Sequence, residues 1–449
     1  MTEDSQRPVA LTVAGSDSGG GAGIQADLKT MASCGAFGTS AVTSVTAQNT
    51  TGVHGVHDLS PESVRAQVEA VVSDFDVRAA KTGMLSSAAI IEAVADALSD
   101  AEFPLVVDPV IVAESGDRLL DEVAERVLRE TLLPEATLVT PNINEAEALT
   151  GERIENEDGL REAAAALAAK GPAALVTGGH LDGDPVDVLH DGERSQAFHK
   201  RRFDTDATHG GGCTLSAAIA ASLARGADVP DAVADGEALI ARAVRYGLDV
   251  GEGPGPVHHL VGIRNEASER ETVEAVRAAV REFESGGVEA LVPEVGMNVA
   301  VATPYATDTE EVAAVDGRIH GVTDGVRAAG PAAMGASSHV ARLLLAAREY
   351  DSTVRAAANV RLNDAIAAAV EESLDAAEVD RTEERDADPT EERAGGTMAW
   401  TVERAMADRE TLPDAIYDRG AVGKEAMCRL FARQPTELRE RVRSLAERV

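Results

Sequence analysis

The sequence predicts an α/β protein in two parts: a mostly parallel sheet between helix layers over residues 1–262, then a separate α/β domain over residues 263–449. Three observations lead there. Through the first part, apolar β-type runs alternate with amphipathic, alanine-rich stretches, the pattern of strand–helix–strand units that cover a parallel sheet on both faces. A glycine- and proline-rich segment, 251–256, closes that pattern, and a charged helix-like stretch, 266–284, opens the next part. The 449 residues are also enough for two domains, each with its own core.

Taken in order, the β-type runs are 9–14, 105–107, 137–140 and 174–177, and the helix-like blocks between them include 63–73, 88–99 and 159–170. Two glycine-rich turns punctuate the series. The first, residues 14–27 (AGSDSGGGAGIQAD), follows a strand and precedes a helix; its spacing fits a dinucleotide loop poorly, and a purely structural turn would be glycine-rich as well. The second, 208–214 (THGGGCT), opens a helix over 215–224. Glycines at a helix start aim unpaired N–H groups at one point, and the helix dipole favours an anion there. Cys213 sits at that start, where thiol acidity tends to increase; a buried small cysteine is the plainer alternative. In the second part the stretch 266–284 reads as one helix without a turn, 340–348 as another, and the acidic run 375–393 as a solvated loop or frayed helix.

Charge narrows the classes of function. Seventy-seven acids against 41 bases give a net charge of −36, which excludes a general nucleic-acid backbone binder. The acidic start resembles no signal peptide and no apolar run approaches the roughly 20 residues of a membrane span, so we expect a cytoplasmic protein with no membrane and no nucleic-acid partner. Cys34, Cys213 and Cys428 lie too far apart for a disulfide scaffold or a cysteine zinc site. Only five bases are lysine and 36 are arginine. A surface this acidic suits an interior rich in salt, where about 1 M ions screen charge within ~3 Å.

The two glycine turns, together with 47–53 (AQNTTGV), 81–85 (KTGML), 107–110 (VDPV), 140–146 (TPNINEA) and 255–259 (GPVHH), resemble the hydroxymethylpyrimidine/phosphomethylpyrimidine kinases over roughly residues 8–260. That resemblance implies a ribokinase-like fold and ATP-dependent phosphorylation of 4-amino-5-hydroxymethyl-2-methylpyrimidine and then of its monophosphate, with Mg²⁺ as cofactor. Carried over by position, it implies that Gly15, Asp27 and Gln48 hold the aminopyrimidine while Met84 and Val112 pack on its ring. An amide can read ring nitrogen and amine, and a carboxylate can accept from the amine. It further implies that Gly210, Gly211 and Gly212 form an anion hole, that Cys213 draws the proton from the attacking oxygen, and that Asp108, Asn142 and Glu145 surround the phosphates, with Asp108 and Glu145 toward the metal. The chain departs from the family pattern at Gly211, where threonine is usual, and at Glu114 and Thr177, where lysine is frequent.

The second part has no phosphate-binding loop of its own, but 294–298 (EVGMN), 334–342 (MGASSHVAR) and 417–425 (YDRGAVGKE) resemble the archaeal thiamine-phosphate synthase domain. The resemblance implies coupling of the pyrimidine diphosphate to a thiazole phosphate with loss of pyrophosphate, Arg318 and His339 being the catalytic pair. Ser337, Ser338, Arg342, Arg361, Arg419 and Lys424 are candidate phosphate ligands, arginine offering a planar fork that matches phosphate oxygens. The expected partners are therefore small molecules (the aminopyrimidine, its phosphates, thiazole phosphate and ATP) and other copies of the chain in a homo-oligomer. A kinase carrying a thiamine-phosphate-sensing module is the alternative; it would need a basic DNA-reading helix pair, which the acidic stretch 266–284 does not provide.

Overall fold

A computed structural model describes residues 7–111, 120–179, 181, 183–381, 396–421 and 423–449. The chain forms two compact units, Met1–Gly262 and Ile263–Val449.

Among the described residues of the first unit, strands and helices follow in the order β1 (Val9–Ala14), α1 (Gly23–Ser33), β2 (Phe37–Val42), β3 (Ser44–Asn49), β4 (Gly52–Asp58), α2 (Pro61–Asp74), β5 (Val77–Thr82), α3 (Ala88–Leu98), β6 (Leu105–Val107), α4 (Glu122–Val127), β7 (Leu138–Val139), α5 (Ile143–Thr150), α6 (Glu157–Ala168), β8 (Ala173–Thr177), β9 (Val186–His190), β10 (Ser195–His199), α7 (Gly211–Ala224) and α8 (Val229–Arg245). Eight strands make one sheet in the order β10-β9-β8-β7-β6-β5-β1-β2, parallel except for β9 and β10 at one edge. Strands β3 and β4 pair separately as an antiparallel ribbon.

Alternation along β1 shows how the layers arise. Leu11 and Val13 join one apolar cluster with Val64 and Val68 of α2, Ile90 and Ile91 of α3, and Leu160 and Leu167 of α6. Thr12, on the other face, bonds to Asp27 of α1. Period-2 side chains thus feed two helix layers from one strand. On α7 every residue from Thr214 to Ala224 is buried, and its alanines let the sheet, α1 and α8 close around it. A helix apolar all round belongs inside. Ser60, Ser87, Asp121, Asn142, Asn156 and Asp228 cap the helices that follow them, so six helix starts are set by one side-chain oxygen each.

The second unit continues from α9 (Val261–Ala267) with α10 (Glu269–Glu284), β11 (Asn298–Ala302), β12 (Val312–Val315), β13 (Ile319–Val322), β14 (Gly325–Ala328), β15 (Ala332–Met334), α11 (Ser338–Arg348), β16 (Ala356–Arg361), α12 (Asp364–Ser373), β17 (Ala376–Glu378), α13 (Gly396–Met406), β18 (Ala415–Asp418), β19 (Met427–Ala432) and α14 (Pro435–Ala446). Its seven-stranded sheet, β15-β12-β11-β16-β19-β18-β17, is antiparallel except where β17 meets β18. One apolar cluster fills the face under α10, α12 and α14, another the face under α11 and α13.

Two expectations change. The stretch 266–284 is not one helix: Ser268 ends α9, its N–H bonding back to Asn265 O, and its own carbonyl accepts from Thr272 to start α10. The run 375–393 is not loop from its start, because Ala376 and Ala377 are apolar enough to join the sheet edge as β17; residues 382–393 lie outside those described. Among the described residues no helix is long and apolar enough to cross a membrane.

Candidate active sites

The carboxyl ends of the parallel strands in the first unit open into a cavity of about 530 Å³, the place where open α/β sheets leave room for ligands. Gly15, Asp17, Gln48, Met84, Asp108, Asn142, Glu145, Gly210, Gly211, Gly212 and Cys213 all line it. The two glycine turns interlock at its floor. Gly210, at φ +78°, caps α7, and a Cβ there would stand 1.9 Å from Gly21 O. A Cβ on Gly21 would in turn meet the His209 ring at 2.5 Å. Glycine at both positions is thus a condition of the loops meeting at all. Asp17 ties the first turn together, its Oδ1 accepting from Gly19 N–H and its Oδ2 from Gly21 and Ala22 N–H at 2.7–2.8 Å. His209 Nε2 lies 3.4 Å from Asp17 Oδ2 and 3.5 Å from Gln48 Nε2. Burial alone would raise the Asp17 carboxyl, but His209 and the backbone donors outweigh it and hold the group down at about 2.

Behind the wall lies a buried ion pair. Lys81 Nζ is 3.0 Å from Asp27 Oδ1, neither side chain having any exposure, and Thr12 Oγ1 donates to Asp27 Oδ2 at 2.6 Å. Burial works against the ammonium, yet the negative charge of Asp27 overrides it and holds Lys81 well above the usual lysine range. Asp108 accepts from Ser216 Oγ of α7 at 3.2 Å, and burial raises its carboxyl against the pull of Lys81. Two residues on, Val110 takes φ +26°, an uncommon conformation for a β-branched side chain, at the cavity wall. Glu145 and Asn142 form a reciprocal cap at the start of α5, each side chain accepting the other's N–H, and Glu145 Oε1 also accepts from Ile111 N–H.

Helix α11 of the second unit begins at Ser338 with Ser337 preceding it, and Arg342 reaches back to Ser338 O at 2.9 Å and Ser338 Oγ at 3.1 Å. Burial on one side, then the guanidiniums of Arg429, Arg318, Arg342 and Arg381, hold the His339 imidazole below its ordinary value. The strand registers explain the gathering. Asn298 pairs with Asn359 and Asn359 with Arg429, so the three share a sheet face, the one that α11 covers. Asp418 accepts from Arg429 at 2.8 Å and stands 3.6 Å from Arg381. Asn298 Nδ2 donates to Val315 O and Gly317 O, while Arg318 donates to Val295 O, fixing the turn that carries Arg318.

Residues 17–258 match the phosphomethylpyrimidine kinase family, and residues 275–444 match thiamine-phosphate synthase ThiN. The chain belongs to the phosphomethylpyrimidine kinase family. The hydroxymethylpyrimidine/phosphomethylpyrimidine kinase of Streptomyces coelicolor is 52% identical over 253 residues, 56% of this chain and 94% of that protein. The thiamine biosynthesis bifunctional protein ThiED of Geobacter sulfurreducens is 49% identical over 258 residues, 57% of this chain and 53% of that protein. Among solved structures, the ADP complex of Bacillus subtilis pyridoxal kinase superposes with a TM-score of 0.54 at 37% identity, over 57% of this chain and 98% of that one.

Against the expectations drawn from the two resemblances, three positions differ. Asp27 is not on the cavity wall: α1 turns it inward, and Thr12 and Lys81 take both its oxygens. The Cys213 thiol is not made more acidic. Burial pushes it up to about 12, the opposing charge of Lys81 being partly cancelled by Asp27 and Asp108. Arg419 stands apart from the arginines around His339 in its pairing, bonded to Glu378 at 2.7 Å and 3.5 Å from Asp364. Lys424 is exposed and Arg361 half-buried at the end of β16; Val112 and Glu114 lie outside the described residues. Sequence reasoning missed Asp17, Lys81 and His209, although all three lie within the motifs that flagged the family, and it missed Arg381 and Arg429, which no local pattern marks. It also missed Lys200, Arg201 and Arg202, which line the cavity near Thr177; three successive cations in a chain of net charge −36 were the available signal.

Proposed function

We propose that this chain makes thiamine phosphate in two stages, the first unit phosphorylating hydroxymethylpyrimidine and its monophosphate with ATP, the second coupling the diphosphate to thiazole phosphate with release of pyrophosphate. The observation that carries the first stage is the single cavity in which Gln48 and Met84 share a wall with Cys213 and the glycine start of α7. The pyrimidine lies against Gly15 and Met84 with its edge toward Gln48, and its hydroxymethyl oxygen faces Cys213. The N–H groups of Gly211 and Gly212 stabilise charge on the transferred phosphoryl. Asp27 acts through Lys81 and not on the ring. Asp108, on the cavity lining, would hold Mg²⁺, whose charge would offset that of the ATP phosphates. A site with one carboxylate suits a cation that keeps most of its waters.

In the second unit the arginines around His339 supply positive charge for the departing diphosphate, and His339, held toward its neutral form, can donate an N–H hydrogen bond to an oxygen of that leaving group. We further propose that the acidic surface is an adaptation to molar salt.

Purified protein in molar KCl, given ATP, Mg²⁺, hydroxymethylpyrimidine and thiazole phosphate, should yield thiamine phosphate. His339→Ala or Arg318→Ala should stop that product while pyrimidine diphosphate accumulates at the parent rate. Absence of thiamine phosphate from the unmutated protein supplied with diphosphate and thiazole phosphate would turn the second unit into a sensor.

A further inference from the structure

We propose that Lys200, set in a carboxylate clasp formed by Asp187 and Glu237, is a polyphosphate-binding cation of the nucleotide half of the cavity. The inference rests on the ATP-dependent reading of the first unit. Lys200 is the residue after β10, Asp187 lies on β9 and Glu237 on α8. Its Nζ bonds to Asp187 Oδ2 and stands 2.6 Å from Glu237 Oε2. The clasp is nearly dry: Asp187 and Glu237 side chains are 3% and 6% exposed, while Lys200 keeps 19%. Asp187 Oδ1 accepts from Gly178 N–H at 2.8 Å, and Lys200 N–H donates to Pro185 O, so backbone on both sides fixes where the ammonium stands.

That place is at the ligand end of the sheet. Asp187 pairs directly with Thr177, the last residue of β8, and Thr177 bridges to Asn142 at the start of α5. Thr140, Asn142, Thr177, Asp187 and Lys200 all line the cavity. An ammonium has three N–H donors. One is directed to Asp187 and the ammonium also stands beside Glu237, which leaves donor capacity for an oxygen in the cavity. The charge balance permits it. Burial first, and then Asp187, push the Glu237 carboxyl up to about 8 against the pull of Lys200. The same neighbours, the carboxylates foremost after burial is overcome, hold Lys200 above its ordinary value and therefore charged. A charge fixed in this way meets a phosphate without first having to be ordered.

The test measures binding of ATP, AMP and hydroxymethylpyrimidine separately to the full chain by calorimetry. Lys200→Met should weaken ATP at least tenfold and leave AMP and the pyrimidine within twofold, because only ATP carries the outer phosphates. Equal ATP affinity in variant and parent overturns the proposal while the kinase reading stands. A parent that binds no ATP overturns that reading and this proposal with it. Lysine acylation of the unmutated chain, followed residue by residue by mass spectrometry, decides the matter if Lys200→Met does not fold. ATP should slow modification of Lys200 at least fivefold and AMP should not; the same rate with ATP bound overturns the proposal.

Discussion

Cys213 carries the sharpest tension at the scale of single residues. Its place at the glycine start of α7 suits a base, yet burial holds its thiol up at about 12. Because kcat/KM follows the free enzyme, the active thiolate fraction should grow with pH. We expect kcat/KM for phosphorylation to rise about tenfold per pH unit from 6.5 to 9 with no plateau. A profile flat above pH 7.5 would remove the thiolate from the mechanism. Cys213→Ala should lower kcat by roughly 10²–10⁴ while calorimetry shows nearly unchanged pyrimidine binding. Lys81 and Asp27 pose a different question, since neither touches solvent. Removing one partner strands the other charge, so Lys81→Met should cost about 3–5 kcal/mol in urea unfolding, and adding Asp27→Asn should recover much of it. Equal stability of Lys81→Met and the parent would show that the pair is not ionised.

Between elements, the clasp on α8 ties helix to sheet through a proton. In the unfolded chain Glu237 loses its proton near 4.5, in the folded chain only at about 8. The group's contribution to stability is complete below the lower value and is lost as pH climbs through the upper one. Glu237→Gln cannot titrate. Its stability relative to the parent should therefore improve between pH 5 and 8.5, by on the order of 3 kcal/mol, read from urea midpoints. A constant difference across that range would contradict a raised Glu237. Elements were also where the sequence was most legible. Strands β1, β6, β7 and β8 and helices α2, α3, α6 and α7 stand where apolar periodicity and the glycine-rich turn before α7 indicate them, because those signals are local. The site was legible as motifs and less so as roles. Asp27 and Asp17 lie on one glycine turn, and only the fold decides that Asp17 faces the cavity while α1 carries Asp27 inward. Arg429 joins His339 through strand registers, which pair residues 66 to 76 positions apart in the chain.

For the whole molecule the governing number is −36. Repulsion among so many carboxylates weakens as ions screen them. The melting temperature should rise steadily between 0.1 and 2 M KCl in differential scanning calorimetry, and a flat or falling trend would end the salt-adapted reading.

The medium reaches only what water reaches. Lys81 and Asp27 have no contact with water, and the glycine turns beside them are locked by backbone atoms of their own chain. The potential that this pair sets behind the cavity wall is therefore written by the polypeptide and shielded from the brine outside. Dilution can empty the population of folded molecules, but each molecule that stays folded keeps the same local potential, so a freshly diluted sample should lose activity by losing members and not by slowing them.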